Sequence, residues 1–374
     1  MRSLIMPSKT KILHISSSFF SGGIESYLLN FLHQTDFNEF EHYFFVRADD
    51  GPLKERYHRL PIRIIQLKCT PRRYPYCLPY GHLFCKKHGI DIIHGHNYWF
   101  YEYAYFLSLL TGIPLVTSNY GLGLWKKKRH RVLESAIFKR ARVNIAISKT
   151  ILEQEKSLVA GAPDAHEKFK LIYPIIDDAP MKNLSRYDKK SIRQKIGIDN
   201  DKPVFTIIGR IDRLKGHRIA LDAVARLNQD GVRINLLIVG AMTDPSVLRE
   251  HDLQKSYVKY LNYYEPIEEI WTVSDYFLIP SLSEGTPLVL VEYLALGKPI
   301  IASDISGNGE LIRDGWNGFL FKTGDVEDLA RKIEDALTSS ALSDIQANAR
   351  GFYAQQLSPK KLAQEIEQCY RDLS

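Results

Sequence analysis

The chain has 374 residues, too many for one ordinary hydrophobic core and suited to two domains of common size. Its 45% hydrophobic and 25% charged residues describe a globular protein; no run reaches the roughly 18 to 20 apolar residues of a spanning helix, and Met1 to Thr10 lacks a signal peptide's apolar core, which predicts a cytosolic location. The net charge of +7 is uneven, with 25 Lys and Arg against 16 Asp and Glu in residues 1–180 and 25 against 27 in the remainder.

Short apolar runs alternate with helical patterns along the chain, which predicts parallel sheets wrapped by helices. In the first half, strands are expected over residues 11–15, 43–46, 63–67, 91–94, 115–118, 143–147 and 170–173. The first runs through Ser16, Ser17 and Ser18 into Gly22 and Gly23, followed by Ile24, Tyr27, Leu28, Phe31 and Leu32 at helical spacing. A glycine pair after a strand is usually a tight turn, so it carries function only in company. Cys69, Cys77 and Cys85 recur every eight residues near His82 and His88. Structural zinc sites pair cysteines two to four residues apart, so ordinary packing cysteines are the better reading, and with Cys369 they are expected to be reduced.

Alternation in the 91–96 segment puts His94 and His96 on one side of an extended chain, with His96 at the strand end where it could reach a ligand. No Asp, Glu or Cys close behind them completes a metal set, and no metal is expected. Trp125, Lys126, Lys127, Lys128, Arg129, His130 and Arg131, with Lys139, Arg140 and Arg142 behind, are interleaved with Leu122, Leu124, Val132, Leu133, Ile137 and Phe138. That pattern fits either a basic amphipathic surface, with Lys126, Lys127, Lys128, Arg129 and Arg131 facing an anionic membrane, or a solvated helix face. Nucleic acid is the disfavoured partner, because no nucleic-acid module is recognisable and the second half is acidic.

Residues 177–200 are polar and poor in strand pattern, which suits a linker and the opening helix of a second domain. Beyond them, strands are expected over residues 204–208, 234–239, 257–260, 276–279, 299–302 and 318–321. Asp199, Asn200 and Asp201 match an Asp-x-Asp metal signature, yet they precede Pro203 in a polar turn where such residues are simply turn formers. After the 204–208 strand come Gly209 and Arg210, then Lys215 and Gly216; the two cations could neutralise a diphosphate or be surface charges. The 276–279 strand ends at Pro280. Thr286 is then a natural N-cap and Pro287 a natural first helical residue, with Gly297 and Pro299 ending the helix. Its positive end suits an anion, and Gly285 lets a ligand come close. Glu284 falls in the loop and Glu292 in an otherwise apolar helix, where an ionised carboxylate needs a cation, backbone donors or ligand hydroxyls.

Taken together, these segments resemble the retaining glycosyltransferases of the large family 4. The resemblance covers nearly the whole chain. It rests on Gly22, Gly23, Ile24 and Glu25; on the 91–96 segment; on Gly209 and Arg210 with Lys215 and Gly216; on Glu284 to Glu292; and on Asp314, Gly315, Trp316, Asn317 and Gly318. It implies an α/β protein of the GT-B fold, two Rossmann-like domains facing across a cleft: an acceptor domain over residues 1–179, a nucleotide-sugar donor domain over 180–355, and a helix over 356–374 packing back on the first. It implies that Arg210 and Lys215 hold the donor diphosphate, and that Glu284 with the backbone of the segment Gly285, Thr286, Pro287 and Leu288 holds sugar and phosphates. Glu292 would bind the ribose and His96 would line the transferred sugar, while Gly22, Gly23 and Gly209 would allow close approach. The implied reaction is metal-independent transfer of a hexose from a nucleotide diphosphate, UDP first, to a glycan or lipid-linked acceptor in bacterial-type polysaccharide or lipopolysaccharide synthesis. A sugar synthase or phosphorylase with a soluble acceptor is the alternative. Departures from the family pattern fall at Pro174 to Asp177, at Gly309 and Glu310, and at Asn119.

Overall fold

Two parallel sheets order the chain. The structure, a computed structural model, describes residues 9–19, 23–67, 70, 73–123 and 128–374; Gly22, Cys69, Leu124, Trp125, Lys126 and Lys127 lie outside the described residues. The first sheet contains β1 (Thr10–Ser16), β2 (Phe40–Val46), β3 (Arg63–Gln66), β4 (Ile92–His96), β5 (Leu115–Asn119), β6 (Val143–Ala146) and β7 (Phe169–Leu171), in the order β3-β2-β1-β4-β5-β6-β7. The second contains β8 (Val204–Ile208), β9 (Asn235–Val239), β10 (Val258–Leu261), β11 (Tyr276–Ile279), β12 (Ile300–Ser303) and β13 (Phe319–Phe321), in the order β10-β9-β8-β11-β12-β13. The expected strands are all present, with ends shifted by up to three residues. They were visible because parallel strands buried on both faces read as short apolar runs.

The chain divides into one unit made of Met1–Ile176 and Pro359–Ser374 and a second made of Asp177–Ser358. Each sheet is covered by helices whose apolar faces complete its core. In the first unit, the helix Gly23–Gln34 buries Tyr27, Leu28, Phe31 and Leu32 against β1 and β2 residues such as Ile12 and Phe44. The helix Pro359–Arg371 adds Leu362, Ala363, Ile366, Cys369 and Tyr370 to the same core. Cys77 and Cys85 are buried in the core on the helix Tyr74–His88, and burial pushes the Cys85 thiol up to about 12, as expected of packing cysteines. In the second unit, the helix His217–Gln229 buries Ala220, Leu221, Val224 and Leu227. Among the described residues, no helix is long and apolar enough to cross a membrane.

Strand order reverses direction at β1/β4 in the first unit and at β8/β11 in the second. Such switch points open a crevice beyond the carboxyl ends of the strands, where open α/β sheets bind ligands. His96 ends β4, and Gly209 and Pro280 follow β8 and β11.

Candidate active site

The second unit's crevice gathers most of the residues singled out in the sequence. After β8 the chain turns through Gly209, whose φ is 151°, to the exposed Arg210, which lies 3.7 Å from Asp212. Asp212 accepts from the backbone N–H of Leu214 at 2.9 Å and of Lys215 at 3.1 Å, shaping a tight 3-10 turn over Arg213–Lys215. Gly216 follows at φ 68°, where a Cβ would sit 1.8 Å from the Pro280 carbonyl oxygen. This contact brings the two switch-point loops together, and only glycine permits it. Lys215 consequently reaches across and donates to Glu284, whose Oε1 also accepts from Ser281 Oγ at 3.1 Å.

The following helix differs from expectation. It runs over Leu288–Leu296, with Pro287 as its N-cap in an extended conformation (φ −70°, ψ 134°) and without a side-chain cap. Proline disfavours the helical region for the residue before it, which keeps Thr286 out of the first turn. Thr286 Oγ1 is instead buried without a hydrogen-bond partner among the described residues. Gly297 closes the helix in the left-handed region, as expected. Glu292 lies about one turn in, half-buried. No hydrogen-bond or ion-pair partner reaches it among the described residues, and burial pushes its carboxyl up to about 7. The cation or donor that an acid in this helix calls for is therefore not supplied by its neighbours.

His217 escaped the sequence reading. It begins the helix after Gly216, is fully buried and lines the same pocket as Lys215 and Glu284. Among the described residues neither ring nitrogen has a partner in hydrogen-bonding geometry, and burial holds the imidazole at about 4, hence neutral. Its place directly behind the Lys215-Gly216 pair was the available signal. Asp199, by contrast, is occupied: it accepts from the Asp201 N–H at 3.0 Å and pairs with Lys202 at 2.9 Å, the turn-forming role expected of it.

In the first unit, a cavity of about 340 Å³ opens at the β1/β4 switch point. Ser17, Glu25, Arg47, His96 and Asn97 supply its polar wall; Phe45, Tyr74, Phe100 and Tyr103 supply its apolar one. Glu25 accepts from Ser17 Oγ at 2.9 Å, and burial raises its pKa. Gly23 starts the adjoining helix. Arg47 and Asn97 were not singled out in the sequence, because each acquires its place only from the strand order.

His96 lines this cavity from a buried position. It is 1% exposed and both of its ring nitrogens are engaged inside the protein, with Tyr120 Oη at 2.8 Å and His14 at 2.9 Å. His94 and His96 also have a neighbour that the sequence did not single out. The residue that joins them comes from β1, where His14 pairs in register with His94, and the three place ligand atoms within 4.8 Å of one another. Yet all six ring nitrogens are taken. His94 meets Tyr370 Oη at 2.7 Å and Ser118 Oγ at 2.8 Å, His96 meets Tyr120 and His14, and His14 also meets His42 at 2.8 Å. A cation would have to break at least two of these bonds to bind, the one between His14 and His96 and one of the two that His94 makes. Of the basic segment, Lys128, Arg129 and Arg131 are exposed at the start of the helix Lys128–Arg140 beside Val132, itself 67% exposed.

Comparison with known proteins decides the family. The profile of Glycosyltransferase Family 4 matches residues 21–179 and that of Glycosyl transferases group 1 matches residues 188–352. The chain is a family 4 glycosyltransferase of the GT-B fold. It is an enzyme of the hexosyltransferase class. Over 302 residues it is 28% identical to a D-inositol 3-phosphate glycosyltransferase of Rhodococcus erythropolis, covering 75% of this chain and 67% of that protein. It is 25% identical over 315 residues to an Escherichia coli UDP-Gal:alpha-D-GlcNAc-diphosphoundecaprenol alpha-1,3-galactosyltransferase, covering 77% of each. Among solved structures, a glycosyltransferase from Rickettsia africae superposes with a TM-score of 0.84 at 18% identity over 98% of this chain and 99% of that one. Anabaena HepE in complex with UDP and glucose superposes with a TM-score of 0.79 at 21% identity over 96% and 98%.

Proposed function

We infer that this glycosyltransferase takes a hexose from a nucleotide diphosphate, UDP in the first instance, and transfers it with retention to a glycan or lipid-linked acceptor of bacterial-type polysaccharide or lipopolysaccharide synthesis. One observation carries the reading: Lys215 and Glu284 meet in one pocket beyond β8 and β11, one turn of helix before an acid, Glu292, that has no hydrogen-bond or ion-pair partner among the described residues. Lys215 and Arg210 are the cations for a diphosphate, and a helix N-terminus lies beside them. Glu284 and Glu292 are acceptors for sugar and ribose hydroxyls. With two cations in place, the charge that develops on the leaving diphosphate can be stabilised without a divalent metal. The leaving diphosphate takes the proton of the acceptor hydroxyl on the same face, so no protein nucleophile is called for. The first unit's cavity, with its aromatic wall, is the acceptor's place.

Screening nucleotide sugars by thermal shift and slow hydrolysis tests this, since a ligand at 100 times its Kd stabilises the native state by about 2.7 kcal/mol. A UDP-hexose should raise the melting temperature, and an alpha-linked donor should give an alpha-linked product by NMR with EDTA present. An inverted product, or no stabilisation by any nucleotide sugar, would refute it. A soluble acceptor is the second reading. It is favoured by the inositol-phosphate enzymes among the relatives and by Arg47 in the cavity wall, a suitable partner for an acceptor's phosphate.

A further inference from the structure

Six side chains in the first unit form a single file of hydrogen bonds. Tyr120 Oη lies 2.8 Å from His96 Nδ1, His96 Nε2 2.9 Å from His14 Nδ1, and His14 Nε2 2.8 Å from His42 Nδ1. His42 Nε2 then lies 3.3 Å from Thr35 Oγ1, which is 3.0 Å from Glu367 Oε1 on the C-terminal helix. His14, His42 and His96 are each at most 1% exposed, and Glu367 is 4% exposed.

The end of the file dictates the direction of every bond. Among the described residues, Glu367 meets only donors: Thr35, the Asp36 N–H at 2.8 Å and Arg371 Nη2 at 3.3 Å. That is the set a carboxylate accepts. Thr35 has one proton and gives it to Glu367, so its oxygen must accept from His42 Nε2–H. A neutral imidazole has one N–H, and the bond made by one nitrogen sets the state of the other. Burial holds His42 at about 3; burial and the neighbouring imidazoles hold His14 and His96 well below the ordinary histidine range, so all three are neutral. His42 Nδ1 therefore accepts from His14 Nε2–H, His14 Nδ1 accepts from His96 Nε2–H, and His96 Nδ1 accepts from Tyr120.

The geometry points to a relay in which Glu367, through Thr35, His42 and His14, locks His96 as its Nε2–H tautomer, so that Nδ1 is held as an acceptor, for Tyr120 in this structure and, where a ligand takes that place, for a hydroxyl and not a phosphate oxygen. The last clause rests on the proposed reading of the neighbouring cavity as a site for sugar hydroxyls; the lock itself does not. Glu367, Thr35, His42 and His14 are then positioning residues. They hand the polarity of a C-terminal carboxylate to the floor of the cavity across three strands.

Histidine-ring 15N correlation spectra of the full-length protein test the lock directly, with His96 assigned by the signals missing from His96→Gln. The wild type should show a protonated Nε2 and a bare Nδ1. Thr35→Val removes the acceptor for His42 and frees the file to reverse, so His96 should gain the Nδ1–H form. Turnover should fall on the order of tenfold, as when the group orienting a functional histidine is lost, with the donor KM unchanged. Glu367→Gln retains an oxygen for Thr35 and should keep both the tautomer and the turnover. Should Thr35→Val not fold, His42→Phe breaks the file one link further in, with the same expected shift. Nδ1–H in the wild type, or an unchanged tautomer in the broken variants, overturns the relay. The spectra do not depend on catalysis, so a locked His96 in a protein that transfers no sugar would sink the functional reading and leave the relay standing.

Discussion

Lys215 and Glu284 neutralise each other, and this pairing shapes what their removal should do. A bound diphosphate would draw the Lys215 ammonium away from Glu284 and free the carboxylate for sugar hydroxyls, an exchange of partners within one pocket. Charge-assisted bonds contribute about 1.5 to 3 kcal/mol each. Lys215→Ala and Arg210→Ala should each weaken nucleoside-diphosphate binding roughly tenfold or more by calorimetry, with melting little changed; full affinity in both variants would remove them from the site. Glu284→Gln keeps the shape and loses only the charge, so turnover should fall while nucleotide affinity holds.

Glu292 adds a pH dependence. Its folded pKa of about 7 lies above the roughly 4.3 of an unfolded glutamate, so the folded state keeps a proton that the unfolded chain has released. The stability this proton lends is complete below the unfolded value and is lost as pH rises through about 7. Glu292→Gln should therefore melt higher than wild type at about pH 8 and alike at about pH 4. Ribose hydroxyls favour the ionised form, so wild-type nucleotide affinity should rise from about pH 6 to about pH 8 and the variant's should not. A flat wild-type profile would argue against Glu292 as the ribose acceptor.

At the scale of elements, the sequence spoke clearly where one run of residues sufficed. Strands β8 and β11 were legible to the residue because apolar runs are bounded by Gly209 and Pro280. The helix after Pro287 was misplaced by one residue, since proline at a helix start serves as either N-cap or first residue and sequence alone does not separate the two. His14 and His42 were missed for a different reason. Alternation within β4 reveals that His94 and His96 share a face, but only the parallel register of β1 on β4 sets His14 beside His94. The approach of Gly216 to Pro280 likewise joins residues 64 positions apart, and nothing local announces it.

The helix Lys128–Arg140 supports a prediction of its own. Lys128, Arg129 and Arg131 are exposed next to Val132, and a basic residue near an anionic surface contributes about 1 kcal/mol. Replacing the three with Gln should lower retention on phosphatidylserine-containing vesicles by a factor on the order of 100 at low salt while donor hydrolysis continues. A wild type that ignores such vesicles would end the idea of membrane docking through this helix.

At the scale of the whole molecule, the return of the chain to the first unit at Pro359 means that its last 16 residues belong to the fold of its first 176. Leu362, Ala363, Ile366, Cys369 and Tyr370 are buried in the first unit's core, and Arg371 holds Glu39 with two bonds of 2.7 Å. Full burial contributes about 1.5 to 3 kcal/mol for a large apolar side chain. Leu362, Ile366 and Tyr370 alone then approach the 5 to 15 kcal/mol by which a typical domain is stable. Removing residues 359–374 should abolish cooperative melting of the first unit and expose its core to a hydrophobic dye. Residues 177–358, whose own core contains none of the deleted side chains, should still melt cooperatively and, on the reading given above, bind UDP. The comparison is a calorimetric scan of full-length and truncated chains with and without UDP. Two transitions in the truncated chain, matching those of the full-length protein, would show that the first unit does not need its C-terminal helix.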